Sequence, residues 1–237
     1  MDVRWMTGFL DSPSVDIEPF WLAVTGTTRS ARRGGGVFAT LVPAAGDAYL
    51  RVPVTAAPPR THLDLHVDAV PEAAGEAVAR GARVVRDAGD LVVLRSPAGI
   101  EFCLVPWGGQ AVRPAAVRWP GGQRSVVDQL SLDVPVARFE AEADFWAGLT
   151  GWPRRLPNLP EFEFLERPAG MPLRLLLQRV GSAAAGMHVD LACDDVDAEV
   201  ARHVGLGARV VRRVPGDWTT LQDPAGREYC VTGRSPG

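Results

Sequence analysis

The chain has 237 residues, of which 46% are hydrophobic and 22% are charged, and its formal net charge is −3 at pH 7. This composition is typical of a soluble globular protein, and the weak negative charge gives no reason to expect nucleic acid as a partner. No apolar run approaches the ~20 residues of a membrane span, and the first residues lack a signal-peptide pattern, so we expect a cytoplasmic protein that binds no membrane.

The first half of the chain contains two predicted modules. Residues 3–55 include a helix that carries Phe20-Trp21 and ends near Gly26, with a later strand near Leu50. Residues 61–106 begin with an alternating strand, THLDLHV, and end with the strand EFCLVP. The next stretch, 107–125, is rich in Gly, Pro and Arg without a regular apolar period, which predicts a linker.

The second half repeats this arrangement over residues 126–180 and 187–232. Its alternating and helical periodicities predict a strand, a helix and three strands in each module. In the last module Asp194, Asp195 and Asp197 follow the first strand, and any of them can cap a helix that begins near Val196 and ends at Gly205 or Gly207. The predicted strands of the second half cover residues 129–134, 161–166, 173–179, 188–193, 208–212, 218–221 and 228–232.

The two halves are copies of each other. His62 pairs with His188 at an offset of 126 residues, and Cys103 pairs with Cys230 at an offset of 127. A repeat of this length indicates a duplicated domain and not a solenoid unit. We therefore predict an α+β fold with two domains, residues 1–106 and 126–234, each built from two βαβββ modules.

Alternation along the strands assigns side chains to the two faces of each sheet. His188 and Asp190 point away from Val189, and Cys230 points away from Tyr229; His62, Asp64 and Cys103 occupy the corresponding places in the first half. Because a helix covers the apolar face, the polar face is predicted to line a curved cup suited to a small molecule.

These motifs resemble those of a known family. The pattern HLDLxVDD, helix, GARVV, W, DPxGxEFCV, preceded by LDxP, FW and TG, is similar to the glyoxalase-like branch of the vicinal oxygen chelate superfamily, which includes bleomycin-resistance-like proteins. The resemblance covers nearly the whole chain outside the linker. It implies two tandem domains, each with a cup-like mixed sheet and helices outside, that pack as an intrachain pseudo-dimer.

The resemblance also implies a place for a divalent metal, which such enzymes hold with His, Gln and Glu. His62 and His188 match the histidine, and Gln129 matches a ligand type that Thr7 does not supply in the first half. Cys103 and Cys230 stand where the glutamate is expected. The implied set His188, Gln129 and Cys230 would be soft and would favour zinc, whereas the first half has too few ligands.

Other polar residues on the same faces are candidates for ligand binding. Asp64 and Asp190 can orient the histidines, Trp218 can stack on a ligand, and Arg51 and Arg174 suit an anion or pair with an acid such as Glu101 or Glu228. Gln178 and Glu228 complete the set. We expect His66 at the surface or the lip of the cup, and His203 in solvent.

Two functions follow from this pattern. The leading hypothesis is a protein that binds a small organic metabolite or natural product by sequestration without a metal. The alternative is a metal-dependent lyase, isomerase or dioxygenase with its site in the second domain. Purely structural His–Cys pairs and a catalytic thiol also stay open, so no catalytic residue is assigned. The sequence lacks the motifs of hydrolases, kinases and dehydrogenases.

Overall fold

The first half of the chain forms one sheet, as seen in a computed structural model that describes residues 1–157 and 159–237. Its strands are β1 (Trp5–Asp11), β2 (Thr28–Arg29), β3 (Phe38–Val42), β4 (Leu50–Pro53), β5 (Arg60–Val67), β6 (Arg83–Asp87), β7 (Val92–Arg95) and β8 (Glu101–Pro106). They lie in the order β2-β3-β4-β1-β5-β8-β7-β6. The α-helices of this half are α1 (Glu18–Thr25) and α2 (Val70–Ala79), and a 3-10 helix, Val15–Ile17, precedes α1.

The second half forms the other sheet. Its strands are β9 (Val117–Arg118), β10 (Arg124–Pro135), β11 (Arg154–Arg155), β12 (Phe162–Leu165), β13 (Arg174–Val180), β14 (Gly186–Cys193), β15 (Arg209–Val214), β16 (Trp218–Gln222) and β17 (Glu228–Thr232). They lie in the order β11-β12-β13-β10-β14-β17-β16-β15, and β9 pairs with β10. The α-helices are α3 (Phe139–Thr150) and α4 (Val196–Gly205), and a 3-10 helix, Val136–Arg138, precedes α3.

The predicted fold class and the βαβββ order of each module are confirmed. Both sheets are mixed: β5 pairs with β8 and β14 with β17 in parallel, while the hairpin strands pair antiparallel. The predicted linker, 107–125, contains β9 and the first residues of β10. The residues that the structure describes include no candidate membrane-spanning helix.

Two compact units divide the chain differently from the two sheets. One unit comprises residues 1–8, 62–111 and 130–187, and the other comprises residues 9–61, 112–129 and 188–237. Each unit therefore contains segments from both halves of the sequence. The predicted domains, 1–106 and 126–234, stay a prediction.

The core of the first unit is aromatic. Phe102 of β8 packs against Phe145 and Trp146 of α3, with ring centroids 5.9 Å and 5.0 Å apart. Glu142, fully buried on the same helix, accepts hydrogen bonds from the Trp146 indole and from the backbone N–H of Ala98. The buried Glu142 carboxylate thus has partners inside this core.

The core of the second unit has a matching composition. The ring centroids of Trp21 of α1 and Tyr229 of β17 are 5.1 Å apart. The indole N–H of Trp21 donates a hydrogen bond to the Asp223 carboxylate at 3.0 Å. The Tyr229 hydroxyl meets Nδ1 of His203 at 2.9 Å. Tyr229 therefore faces the helices, as the alternation predicted. The expectation that His203 faces solvent is wrong, because its side chain is fully buried in this core.

Candidate metal centre

Two parallel strands position a polar cluster in the second half. Asp190 of β14 lies opposite Cys230 of β17, and Leu191 lies opposite Val231. Leu191 and Val231 are almost fully buried, so the strands cannot slip by one residue without exposing core side chains. His188 precedes Asp190 by two residues and shares its face.

The ligating atoms of His188, Asp190 and Cys230 all lie within 4.8 Å of one another. Nδ1 of His188 is 2.8 Å from Oδ1 of Asp190. Asp190 is buried, whereas the His188 side chain keeps 17% of its surface exposed. The cluster thus joins a buried carboxylate and thiol to an imidazole that solvent can reach.

Gln129 of β10 supports the carboxylate. It is buried, and its amide nitrogen donates a short hydrogen bond to Oδ2 of Asp190. On the other side, the Thr220 hydroxyl lies 3.5 Å from the sulfur of Cys230. The amide of Gln129, predicted as a metal ligand, is therefore placed to orient Asp190.

The first half contains an equivalent cluster. Asp64 of β5 lies opposite Cys103 of β8, and the ligating atoms of His62, Asp64 and Cys103 also lie within 4.8 Å of one another. From the sequence we expected only His62 and Cys103 as ligands here, which would be too few to hold a metal. The carboxylate of Asp64 raises that number to three, because it shares their face in the observed register.

The surroundings of the two clusters differ. Thr7, which occupies the place of Gln129, meets Nε2 of His66 at 2.8 Å. His66 is 3% exposed. The expectation that His66 lies at the surface or the cup lip is wrong. The Thr7 hydroxyl offers its ring a hydrogen-bond partner in the interior.

The donor set of each cluster fits a divalent metal. Two atoms bound to one tetrahedral zinc ion at about 2.0–2.3 Å lie roughly 3.3–3.8 Å apart, so atoms within 4.8 Å of one another can share an ion after small side-chain rotations. Three protein ligands leave a fourth position open, as in catalytic zinc sites. A thiolate beside an imidazole favours zinc or another late metal over magnesium. The third cysteine, Cys193, lies outside both clusters, and burial raises the pKa of its thiol to about 12.

The two predicted arginines occupy similar environments. The guanidinium of Arg51 lies over the ring of Phe9, 5.4 Å from its centroid, and that of Arg174 lies over Phe164 at 5.1 Å. Both arginines are half-buried. Glu101, considered as a partner for them, accepts a hydrogen bond from Arg95 at 2.7 Å.

The remaining candidates lie along other strands. Gln178 is half-buried opposite Phe162, and Glu228 is exposed at the start of β17 opposite Gln222. Trp218 is half-buried and lines a cleft of about 390 Å³ at the start of α4. Asp195, Asp197, Arg213 and Asp217 are among the other residues of that cleft.

Sequence reasoning gave Asp64 and Asp190 an orienting or ligand-binding role and did not count them as candidate metal ligands. The signal was present as His-x-Asp on an alternating strand, which puts both side chains on one face. Which residue lies opposite each Asp depends on how its strand pairs with the last strand of the module. This pairing joins segments that are distant in the sequence, so alternation within one strand does not predict it.

Comparison with protein families gives one match. A family model described as a glyoxalase-like domain matches residues 11–105 and again residues 129–232. The two matches correspond to the two copies of the repeat and cover most of the chain. None of the curated proteins matches the chain.

Solved structures of similar fold include three from bacteria. A mutant of 4-hydroxymandelate synthase from Streptomyces coelicolor is 16% identical, with a TM-score of 0.61, over 100% of this chain and 94% of that one. The 2,3-dioxygenase LapB from Pseudomonas sp. KL28 is 12% identical, with a TM-score of 0.66, over 98% and 92%. The 2,2',3-trihydroxybiphenyl 1,2-dioxygenase from Sphingomonas wittichii strain RW1 is 16% identical, with a TM-score of 0.60, over 98% and 89%. At these identities the similarity extends to the fold alone.

Proposed function

The chain belongs to the glyoxalase-like domain family, and from this premise we propose that it holds a divalent late metal such as zinc and acts there on a small organic molecule. The metal ligands are His188, Asp190 and Cys230, and the reaction is of the lyase, isomerase or dioxygenase class. The observation that carries this proposal is the convergence of their nitrogen, oxygen and sulfur atoms within 4.8 Å.

Each residue of this centre has a separate role. When bound, the metal would act as a Lewis acid toward an oxygen atom of the small molecule. Asp190 brings the negative charge that offsets the cation, and the Gln129 amide fixes the orientation of that carboxylate. The partly exposed His188 leaves a route from solvent to the cluster.

The fold comparisons support an enzyme over a sequestering protein. Two of the similar structures are named as dioxygenases and the third as a synthase. Enzymes that act on small molecules therefore occur among proteins of this fold. Because fold does not determine chemistry, the support comes chiefly from the cluster.

A second candidate is the binding of a small molecule without a metal. One observation favours it: Asp190 already receives the Gln129 amide and lies 2.8 Å from the His188 ring. These contacts offset part of the cost of burying a carboxylate when no cation is present. The two candidates predict different effects of metal removal on the binding of a small molecule.

Metal analysis tests the proposal directly. Protein purified without a histidine tag, under reducing conditions, is expected to contain zinc or another late metal by mass spectrometry. The variants His188→Ala and Asp190→Asn should each lose one ion per chain, because each removes a ligand. Asp90→Asn, which changes an exposed loop carboxylate, is the matched control and should keep the metal of the wild type.

Catechol, a simple bidentate oxygen donor, can distinguish the two candidates. Calorimetry with metal-loaded and chelator-treated protein should give binding only to the loaded form. Equal binding to both forms, or a wild type that takes up no late metal, would overturn the proposal in favour of metal-free binding.

A further inference from the structure

We propose that the protein holds a second, independent metal ion in its first half, bound by His62, Asp64 and Cys103. This inference rests on the metal-binding part of the proposed function and extends it to a site that the sequence had set aside. Each chain would then carry two ions of the same class.

The positions of the three ligands match those of the first centre. Asp64 faces Cys103 across the parallel pair β5 and β8, just as Asp190 faces Cys230 across β14 and β17. In both cases the histidine lies two residues before the aspartate, on the same face. The three ligating atoms are again within 4.8 Å of one another.

The core behind the strands makes this geometry rigid. Leu63 and Phe102 point to the opposite face and are fully buried, and Phe102 packs on the ring of Trp146. A shift of register by one residue would move these side chains out of the core, so Asp64 and Cys103 are held opposite each other. A preformed ligand set needs little reorganisation when an ion enters.

Burial and access also suit an ion. Asp64 is 4% and Cys103 is 9% exposed, whereas His62 is half-buried and borders solvent. A cation beside the buried carboxylate would offset the cost of removing its charge from water. Binding forms a metal–sulfur bond and transfers the thiol proton to solvent.

The two sites share their donors and differ in what surrounds them. In the second half the long Gln129 amide reaches the aspartate, whereas in the first half Thr7 contacts a further imidazole, His66. We therefore expect similar metal preference at both sites. The small-molecule chemistry remains assigned to the second half, where the amide contacts the aspartate.

Cobalt(II) is the probe for this inference, because a thiolate bound to it gives a sulfur-to-metal charge-transfer absorption that scales with the number of sites. Metal-free protein is titrated with cobalt under reducing conditions, and zinc per chain is measured in parallel. We expect two ions per chain in the wild type. Cys103→Ser and Cys230→Ser should each halve the absorption and leave one ion, and the double variant should bind none.

Cys193→Ala is the control, since this thiol lies outside both clusters, and it should keep two ions. If Cys103→Ser fails to fold by circular dichroism, His62→Gln, at a half-buried position, replaces it with the same expected loss.

The outcomes separate this inference from the proposed function. One ion in the wild type, unchanged by Cys103→Ser and lost in Cys230→Ser, would overturn the second site and leave the proposed centre intact. No ion in the wild type would overturn both. Loss of both ions on a single substitution would contradict independent sites.

Discussion

His203 is an imidazole enclosed by protein on every side. It is fully buried on α4, where its Nε2 lies 3.1 Å from Oε1 of Glu199 and its Nδ1 lies 2.9 Å from the Tyr229 hydroxyl. Nε2 also lies 3.0 Å from a guanidinium nitrogen of Arg202, so the ring contacts an anion, a cation and a hydroxyl. Burial lowers the pKa of His203, against the opposing attraction of Glu199.

The buried carboxylate beside it responds in another pH range. Burial raises the pKa of Glu199, but hydrogen bonds from His203, Arg202 and Ser125 outweigh this effect and lower the pKa to about 2. The stability that Glu199 contributes is therefore present above its ordinary value of 4.5 and is lost only as the pH falls toward 2.

We predict that acidification below neutrality destabilises the protein through His203. Because its folded pKa lies below the ordinary 6.5, its contribution is complete above that value and is lost as the pH falls through the folded pKa. One proton changes the free energy of unfolding by at most about 1.4 kcal/mol per pH unit. Urea unfolding at about pH 7.5 and about pH 5.5 measures the loss, which should shrink in His203→Gln. The same pH dependence in the variant would contradict this role.

The sequence predicted which sheet face a side chain occupies, because alternation within a single strand determines it. It did not predict burial that a distant segment of the chain causes. Alternation placed His188, Asp190 and Cys230 on one face and Tyr229 on the other. The helical pattern could not reveal that the end of α1 covers α4, where Arg202 donates to the carbonyls of residues 23 and 24. That cover is the reason why His203 is buried.

The repeated helices α2 and α4 begin with the same backbone shape and different side chains. Ala69, the residue before α2, has φ −134° and ψ 101°, and Asp195, before α4, has φ −144° and ψ 98°. The Asp195 carboxylate accepts from the backbone N–H of Ala198 at 3.0 Å, whereas Ala69 has no side chain that can do so. One helix start is therefore capped and its copy is not.

We predict that Ala69→Asp stabilises the protein by about 0.5–2 kcal/mol, because the backbone is already shaped for a cap. Asp195→Ala should destabilise it by a similar amount, which makes it the reciprocal control. Urea midpoints of both variants at neutral pH provide the measurement. A lower midpoint for Ala69→Asp would mean that the two helix starts are not equivalent.

Each unit has a buried carboxylate that accepts a hydrogen bond from a tryptophan indole, but the carboxylate comes from a different element in each. Asp223, in the turn before β17, accepts from the Trp21 indole and from the backbone N–H of Ala225. In the other unit Glu142, on the helix itself, accepts from the Trp146 indole and from the turn N–H of Ala98. The corresponding turn residue there is Ser96. Two different residues thus provide the carboxylate for equivalent indoles.

The elements themselves were largely predictable, because each has a local signature. The strand predicted at 228–232 has those bounds, and α4 begins after Asp195, one of the three aspartates that could cap it. The two-residue strands β2, β9 and β11 were not predicted, since so short a segment has no period. Their pairing depends on neighbouring strands and not on their own residues.

At the scale of the whole chain, the cores join segments from both halves of the sequence. Phe102 of the first half packs on Trp146 of the second, and Trp21 of the first half packs on Tyr229 of the second. Sequence periodicity predicted that a helix covers each sheet face. It could not specify which helix, because the four modules offer similar apolar stripes.

We predict that neither half folds as a monomer by itself. Residues 1–116 alone would expose Trp21 and Phe102, and residues 117–237 alone would expose Trp146 and Tyr229, all fully buried in the intact chain. Burying each such side chain stabilises by about 1.5–3 kcal/mol, so the two that each fragment exposes cost it about 3–6 kcal/mol, a large part of a typical total stability of about 5–15 kcal/mol. Mixing the two fragments should restore the near-ultraviolet circular dichroism and the urea transition of the intact chain. A cooperative, monomeric unfolding transition of either fragment alone would instead establish the predicted domains, 1–106 and 126–234, as independent folding units.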